Sequence, residues 1–87
     1  MDTDENIQVK VFSAQWCGFC KMVKAYLSDK GVEFTVVDID EEPDAAMWLR
    51  EKTGQAGVPV TMFGGKDLVI GFDRQGIDGY LREYKLI

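Results

Sequence analysis

Apolar and polar residues alternate near the start of the chain, where Ile7, Val9 and Val11 are separated by polar side chains. A period of two is typical of a β-strand, which we place at residues 7–12. After a polar break, the apolar spacing becomes that of an amphipathic helix whose stripe faces the core. The residues of this stripe are Phe19, Met22, Val23, Tyr26 and Leu27. The pattern therefore predicts a strand followed by a helix.

Glycine and proline mark the next boundaries. Gly31 ends the first helix, and the β-rich run that follows predicts a second strand within residues 32–40. Pro43 suits the first turn of a second helix, where neighbouring acidic residues face the positive end of the helix dipole. We expect this helix to end before Gly54.

The last third of the chain predicts a β-hairpin and a final helix. Strands at residues 58–63 and 68–70 flank a tight turn at residues 64–67. Asp73 can cap the last helix. The inner face of that helix carries Ile77, Tyr80, Leu81 and Tyr84.

The resulting element order is βαβαββα, which predicts an α/β fold with a four-stranded mixed sheet. The first two strands are joined by a helix and should lie parallel, whereas the hairpin strands are antiparallel. Helices should cover both faces of the sheet. The length of 87 residues suits one domain, which we place at residues 7–87 after a disordered leader at residues 1–6.

Charge and hydropathy exclude several classes of function. The net charge is −5 and the basic residues form no dense patch, which argues against nucleic acid as a main partner. No apolar run approaches the length of about 20 residues that spans a membrane. The acidic start of the chain does not resemble a secretory signal. We therefore expect a cytoplasmic monomer that does not bind membranes.

The chain has no histidine and two cysteines, Cys17 and Cys20. The lack of histidine excludes catalytic Ser-His and Cys-His pairs and zinc sites with histidine ligands. A disulfide that closes so short a loop would add little stability through chain entropy, and one cysteine pair supplies too few ligands for a metal site. Because the pair follows a strand and opens a helix, it predicts a redox-active dithiol.

The predicted helix start assigns different roles to the two thiols. Cys17 falls near the N-cap, where unpaired N–H groups and the positive helix end favour a thiolate, and Lys21 adds positive charge. We assign Cys17, the expected exposed thiol, as the nucleophile and Cys20 as the resolving thiol. Two alternatives stay open: both cysteines are buried structural residues, or two chains share an iron–sulfur cluster as a secondary activity.

Three stretches of the chain carry a resemblance to a known family. Residues 16–21 (Trp-Cys-Gly-Phe-Cys-Lys), Val58-Pro59 and residues 71–73 (Gly-Phe-Asp) resemble the glutaredoxins, in the same element order. The closest likeness is to small glutaredoxin-like proteins and NrdH-type redoxins, which share the Gly-Phe pair. Residues 12–18 resemble thioredoxin instead, although Val11 stands where thioredoxins have a buried aspartate.

The resemblance implies a minimal thioredoxin fold of glutaredoxin type and a substrate-binding surface. Val58-Pro59 would be the family's cis-proline loop, which faces the dithiol and offers the Val58 backbone to a bound peptide or thiol. The sequence alone allows Trp16 to be rim packing or a docking surface, and it favours Asp73 as a helix cap. The residues that the resemblance assigns to substrate binding are Trp16, Gly18, Phe19, Val58, Pro59, Gly71, Phe72 and Asp73.

The same resemblance implies a thiol–disulfide oxidoreductase that needs no bound cofactor and no metal, because the dithiol carries the electrons. Its substrates would be protein disulfides or mixed disulfides, with ribonucleotide reductase among the candidates. Glutathione-binding members usually carry a lysine where this chain has Ala14, and a Gly-Gly pair where it has Ile70-Gly71. We therefore predict thioredoxin reductase as the electron donor. The alternatives are glutathione as co-substrate, and a cluster carrier or non-catalytic binding module.

Overall fold

The computed structural model describes residues 8–55 and 57–87. The predicted leader at residues 1–6, and Ile7 after it, lie outside the described residues. The elements are β1 (Val9–Ser13), α1 (Gly18–Asp29), β2 (Thr35–Asp38), α2 (Pro43–Thr53), β3 (Val60–Phe63), β4 (Asp67–Ile70) and α3 (Arg74–Glu83). The predicted order βαβαββα is confirmed.

The four strands form one mixed sheet in the order β2-β1-β3-β4. β1 runs parallel to β2 and antiparallel to β3, and β3 and β4 form the antiparallel hairpin. Two strands are shorter than predicted. β2 covers four residues of the range 32–40, and β3 begins at Val60 because Pro59 has no N–H to offer the ladder.

Successive side chains of the central strands point to opposite faces of the sheet, so the core has two layers. One layer lies between the sheet and helices α1 and α3, and its buried members are Val9, Val11, Val23, Leu27, Val32, Phe63, Val69, Ile77 and Leu81. The other lies under α2, and its buried members are Phe12, Leu49, Val60 and Met62. Helices therefore cover both faces, as predicted.

The predicted apolar stripe of α1 is partly wrong. The helix buries Cys20, Val23 and Leu27, whereas Phe19 is 60% exposed and Met22 is 46% exposed. Successive helical residues are rotated by about 100°, so Phe19 and Met22 lie on the flank of the stripe that begins at Cys20. The first turn of α1 therefore presents apolar surface to solvent.

Both predicted helix boundaries around α2 are confirmed. Pro43 is the first residue of the helix, and the chain leaves it through Gly54 in the left-handed region at φ 75°. Trp48 stacks on Phe12, with ring centroids 5.7 Å apart, and so contributes to packing under α2. Within the described residues the longest helix, α1, has 12 residues, and none is long and apolar enough to cross a membrane.

Tyr84 joins the end of α3 to the hairpin. Its ring stacks on Phe63 at 6.4 Å between centroids, and its hydroxyl donates a short hydrogen bond to the carboxylate of Asp67. The pKa of Tyr84 is raised to about 12 from an ordinary value of 10.0. The hydrogen bond to Asp67 is the main cause, and burial is the second. The hydrogen bond between Tyr84 and Asp67 stabilises the fold as long as the Tyr84 hydroxyl is protonated.

We predict that Tyr84 contributes an alkaline component to unfolding. Because the pKa of Tyr84 is raised in the folded state, its contribution is complete below pH 10 and is lost as the pH rises towards about 12. Urea-unfolding midpoints measured across this range should fall more steeply for the wild type than for Tyr84→Phe, which keeps the ring. Parallel pH profiles for the two proteins would contradict this role of Tyr84.

Candidate active site

The dithiol lies between the end of β1 and the first turn of α1. After β1 the chain makes a tight turn in which the Cys17 N–H donates to the Ala14 carbonyl at 3.2 Å. Cys17 has extended backbone angles (φ −96°, ψ 112°) and is the N-cap of α1, as the sequence predicts. Its sulfur accepts the backbone N–H of Cys20 at 3.1 Å. Sulfur therefore occupies the capping position that an oxygen usually fills.

A second loop lies against the nucleophile. The Val58–Pro59 peptide bond is cis, as the resemblance implies, and the Cys17 thiol donates to the Val58 carbonyl at 3.8 Å. The Pro59 carbonyl in turn accepts the N–H of Gly71 at 2.8 Å. Gly71 has φ +82°, a conformation that glycine adopts without steric cost. The segment before α3 is thus hydrogen-bonded to the loop that contacts Cys17.

Both thiols are buried, although the sequence predicts an exposed Cys17. Cys17 is 6% exposed and Cys20 is fully buried, and both pack with Ala14. The prediction of an exposed Cys17 is therefore wrong, because Ala14 and Val58 pack around its side chain. Cys17 is nevertheless the less buried thiol of the pair.

Burial raises the pKa of the Cys20 thiol above its ordinary value of 9.0, and the hydrogen bond with Cys17 acts in the same direction. Hydrogen bonds from the Ala14 backbone and the Ser13 side chain lower the pKa of Cys20 but have smaller effects. Cys20 therefore keeps its proton at neutral pH, which suits a thiol that acts second.

The exposed residues around the dithiol form a rim, and a tryptophan lies on one side of it. Trp16 is 70% exposed, and its indole Nε1 donates to the Asp40 Oδ2 at 3.0 Å. Asp40 is a site residue that the sequence did not predict. Strand pairing could have identified it, because Ser13 pairs with Asp38 in the parallel ladder and the residues after both strands meet at one edge.

The opposite side of the rim is the start of α3. Phe72 packs edge-on against Tyr26, and the Asp73 Oδ1 accepts the N–H of Gly76 at 3.1 Å. A Cβ on Gly76 would lie 2.9 Å from the Asp73 carboxylate, so glycine leaves room for this cap. Asp73 is thus the N-cap of α3, as the sequence favours. The ligand-binding roles of Phe72 and Asp73 stay predictions.

The remaining predicted site residues lie around the first turn of α1. Gly18, Phe19 and Lys21 are all exposed, and a shallow cavity is lined by Gly18, Phe19 and Met22. The predicted effect of Lys21 on the thiols stays a prediction. Across residues 8–55 and 57–87, no group of three or more potential metal ligands occurs. The chemistry that this arrangement offers is that of an asymmetric thiol pair.

Comparison with known proteins supports the resemblance. The glutaredoxin family model matches residues 9–68. The chain belongs to the glutaredoxin family. Glutaredoxins are in general thiol–disulfide oxidoreductases, and the fold described above is the glutaredoxin form of the thioredoxin fold.

Individual glutaredoxin relatives differ in length and character. A glutaredoxin-like 8.6 kDa protein in the rubredoxin operon of Clostridium pasteurianum is 31% identical over 70 residues, which are 80% of this chain and 92% of that protein. The NrdH-redoxin structure from Escherichia coli, described as having a thioredoxin-like activity profile, gives a TM-score of 0.75 at 25% identity, covering 83% of this chain and 92% of that one.

A buckwheat glutaredoxin–glutathione complex gives a TM-score of 0.73 at 30% identity, covering 93% of this chain and 78% of that one. The chain spans about three fifths of the length of the plant glutaredoxins that it matches in sequence. Membership of the family therefore fixes the fold and the general chemistry, while the electron donor and the substrate are separate questions.

We predict that Asp73 stabilises the protein through its cap and not through its charge. Asp73→Ala should lower the free energy of unfolding by about 0.5–2 kcal/mol, because the Gly76 N–H loses its acceptor. Asp73→Asn is the matched control, since asparagine caps helices about as well as aspartate. Urea unfolding of the three proteins measures both effects. An equal loss in both variants would show that the charge, and not the cap, matters.

We also predict that the second chemical step depends on pH through Cys20. Because the raised pKa keeps Cys20 protonated, the rate at which it releases a mixed disulfide from Cys17 should rise about tenfold per pH unit from neutral pH to beyond pH 9.

Stopped-flow release of a coloured thiol from a Cys17 mixed disulfide measures that rate, and Cys20→Ser, which should accumulate the mixed disulfide, is the control. A rate that is already independent of pH at neutral pH would contradict the raised pKa of Cys20.

Proposed function

We propose that this protein reduces disulfides of other proteins through Cys17 and Cys20 and is itself recycled by thioredoxin reductase. The observation that carries the proposal is the cap of α1, where the sulfur of Cys17 accepts the Cys20 N–H at 3.1 Å. This contact fixes the Cys17 sulfur at the start of α1 beside the Val58–Pro59 loop, and Cys17 is the less buried of the two thiols.

The first step is attack by Cys17. Its thiolate forms a bond to one sulfur of the substrate disulfide, and the other substrate sulfur leaves as a thiolate. The Val58 carbonyl lies 3.8 Å from the Cys17 sulfur. An extended substrate segment that pairs with the Val58 backbone would bring its disulfide to Cys17.

The second step is resolution by Cys20. Its sulfur attacks Cys17, the bond between Cys17 and the substrate breaks, and the dithiol becomes a disulfide while the substrate gains two electrons. Cys20 is fully buried, so a bulky substrate cannot reach it first. The order of events therefore follows from the difference in exposure of the two thiols.

Two positions weaken the case for glutathione as electron donor. Ala14 is 2% exposed and has no charge to offer a carboxylate. Ile70 is 49% exposed beside Gly71, so its branched side chain stands where a glycine would leave the backbone open to a γ-glutamyl group. The loss of one charge-assisted contact costs about 1.5–3 kcal/mol, or roughly 10- to 150-fold in affinity.

The negative charge around Trp16 also weakens the case for glutathione as electron donor. A cavity beside the indole is lined by Gln15, Trp16, Asp38, Asp40 and Glu41. Its three carboxylates disfavour an anionic tripeptide such as glutathione. The exposed indole, held by Asp40, suits the apolar surface of a protein partner instead.

The substrate class follows from the same features. A broad apolar rim suits protein disulfides, ribonucleotide reductase among the candidates, and a free dithiol suits the reducing cytoplasm. Glutathione remains the rival electron donor because the Val58 backbone and the cap at Asp73 are still in place. A cluster carrier remains the rival of another class, and it would need thiols from two chains.

We predict faster turnover with thioredoxin reductase and NADPH than with glutathione, glutathione reductase and NADPH, using the same protein disulfide as substrate. The expected difference is at least tenfold at millimolar glutathione, from the missing charge-assisted contact. NADPH consumption measures both rates, with Cys17→Ser as the inactive control. Efficient recycling by glutathione and none by the reductase would overturn the assignment of the donor.

A matched pair of variants tests the reason for that preference. Ile70→Gly opens the backbone beside Gly71, so it should raise the glutathione-supported rate, whereas Ile70→Val keeps the branch and should leave the rate unchanged. If both variants behave like the wild type, the side chain of Ile70 does not obstruct glutathione.

A further inference from the structure

Trp16 combines high exposure with a fixed orientation. Its side chain is 70% exposed and is absent from the three buried clusters that the described residues form. Its indole Nε1 nevertheless donates to the Asp40 Oδ2 at 3.0 Å. Without this contact so exposed an indole would exchange between rotamers, because little of it is packed. The hydrogen bond to Asp40 therefore selects one orientation of the indole.

Asp40 itself lies on a turn that hydrogen bonds hold in place. Its N–H donates to the Asp38 Oδ1 at 2.9 Å, and the two residues after it donate their N–H groups to the Asp38 carbonyl at 3.1 and 3.0 Å. The Ile39 N–H donates to the Ser13 carbonyl at 3.0 Å, and Ile39 packs against the cluster of Ala14 and the two cysteines. The backbone that carries the Asp40 carboxylate is thus fixed relative to the dithiol.

We propose that Asp40 is a positioning residue, which holds the Trp16 indole ready to contact the protein whose disulfide Cys17 attacks. This role rests on the proposed function. Trp16 directly precedes Cys17, so a protein segment that brings its disulfide to Cys17 also covers the indole. Ordering mobile side chains at an interface weakens association, and an indole that is already ordered avoids this loss. The segment that fits an exposed indole carries apolar side chains beside its disulfide.

The first test measures the orientation of the indole itself. In a Trp48→Phe background, which keeps an aromatic ring on Phe12, Trp16 is the only tryptophan. Time-resolved fluorescence anisotropy of this protein should show a mostly immobile indole. Asp40→Ala should add a large and fast depolarisation. Asp40→Asn keeps an oxygen acceptor without the charge, so it should leave the decay as it is.

The second test measures what that orientation contributes to substrate contact. The reduced protein is mixed with insulin, which is a protein disulfide, or with bis(2-hydroxyethyl) disulfide, a neutral molecule too small to cover the indole. Acid quenching, alkylation and mass spectrometry give the second-order rate of each reaction. In Asp40→Ala the ratio of the insulin rate to the small-disulfide rate should fall by about 2- to 12-fold, which corresponds to ordering one side chain at an interface.

Two controls separate the hydrogen bond from the charge. Asp40→Asn should keep the wild-type ratio, because its side-chain oxygen still accepts the indole N–H. Glu51→Ala removes one exposed carboxylate from α2 and should also keep the ratio. Among residues 8–55 and 57–87 the one ion pair joins Lys30 to Asp78, so Asp40→Ala breaks none there and should fold.

A double variant shows whether Asp40 acts through the indole. Trp16→Ala should lower the ratio at least as much as Asp40→Ala does. Adding Asp40→Ala to Trp16→Ala should then lower the ratio no further, because the group that Asp40 holds is already missing. A further decrease in the double variant would show that Asp40 contacts the substrate itself, and it would overturn the positioning role.

Three other results would overturn the role of Asp40. One is an anisotropy decay that Asp40→Ala leaves unchanged. Another is an equal fall of the ratio in Asp40→Ala and Asp40→Asn, which assigns the effect to charge. The third is a wild-type ratio in Asp40→Ala, which leaves the proposed function intact. Failure of the proposed function looks different, because the wild-type protein would then reduce neither disulfide, and that outcome overturns both proposals.

Discussion

The hydrogen bond from the Cys20 N–H to the Cys17 sulfur is the contact on which the site depends. It makes Cys17 the N-cap of α1 and places Cys20 one turn into the helix, where it is fully buried. Every later difference between the thiols follows from this geometry. Cys17 keeps a small exposed area beside Val58, and Cys20 is enclosed and has a raised pKa.

Strand pairing within the sheet positions the other loops of the site next to one another. The parallel pairing of β1 with β2 places the turn before α1 next to the turn before α2, so Asp40 can hold the indole of Trp16. The antiparallel pairing of β3 with β4 places Gly71 next to Pro59, where their backbones hydrogen-bond. The rim around the dithiol is therefore made of loops whose positions the strands fix.

The sequence predicts the order of elements because each boundary has a local cause. Gly54 takes a left-handed conformation after α2, Pro43 occupies its first position, and Asp73 caps α3. The N-cap position of Cys17 is predictable for the same reason. Its burial is not, because Ala14 and Val58 cover it only after distant segments have packed together.

The directions of several side chains differ from those that the sequence predicts. Helical spacing alone puts Phe19 and Met22 in the core, yet the packing of α1 centres on Cys20 and turns both residues outward. Ser13 shows the converse, since a serine in a polar break gives no sign that it will be buried. Both outcomes depend on the rotation of α1 over the sheet, which no local pattern encodes.

The most direct test of the account is the site of alkylation at neutral pH. The reduced protein is treated with less than one equivalent of iodoacetamide, and peptide mass spectrometry locates the modification. We expect nearly all of the label on Cys17, because it is the capping thiol and the less buried of the two. Label that lies mainly on Cys20, or that is shared equally between the two thiols, would contradict the assignment of their roles.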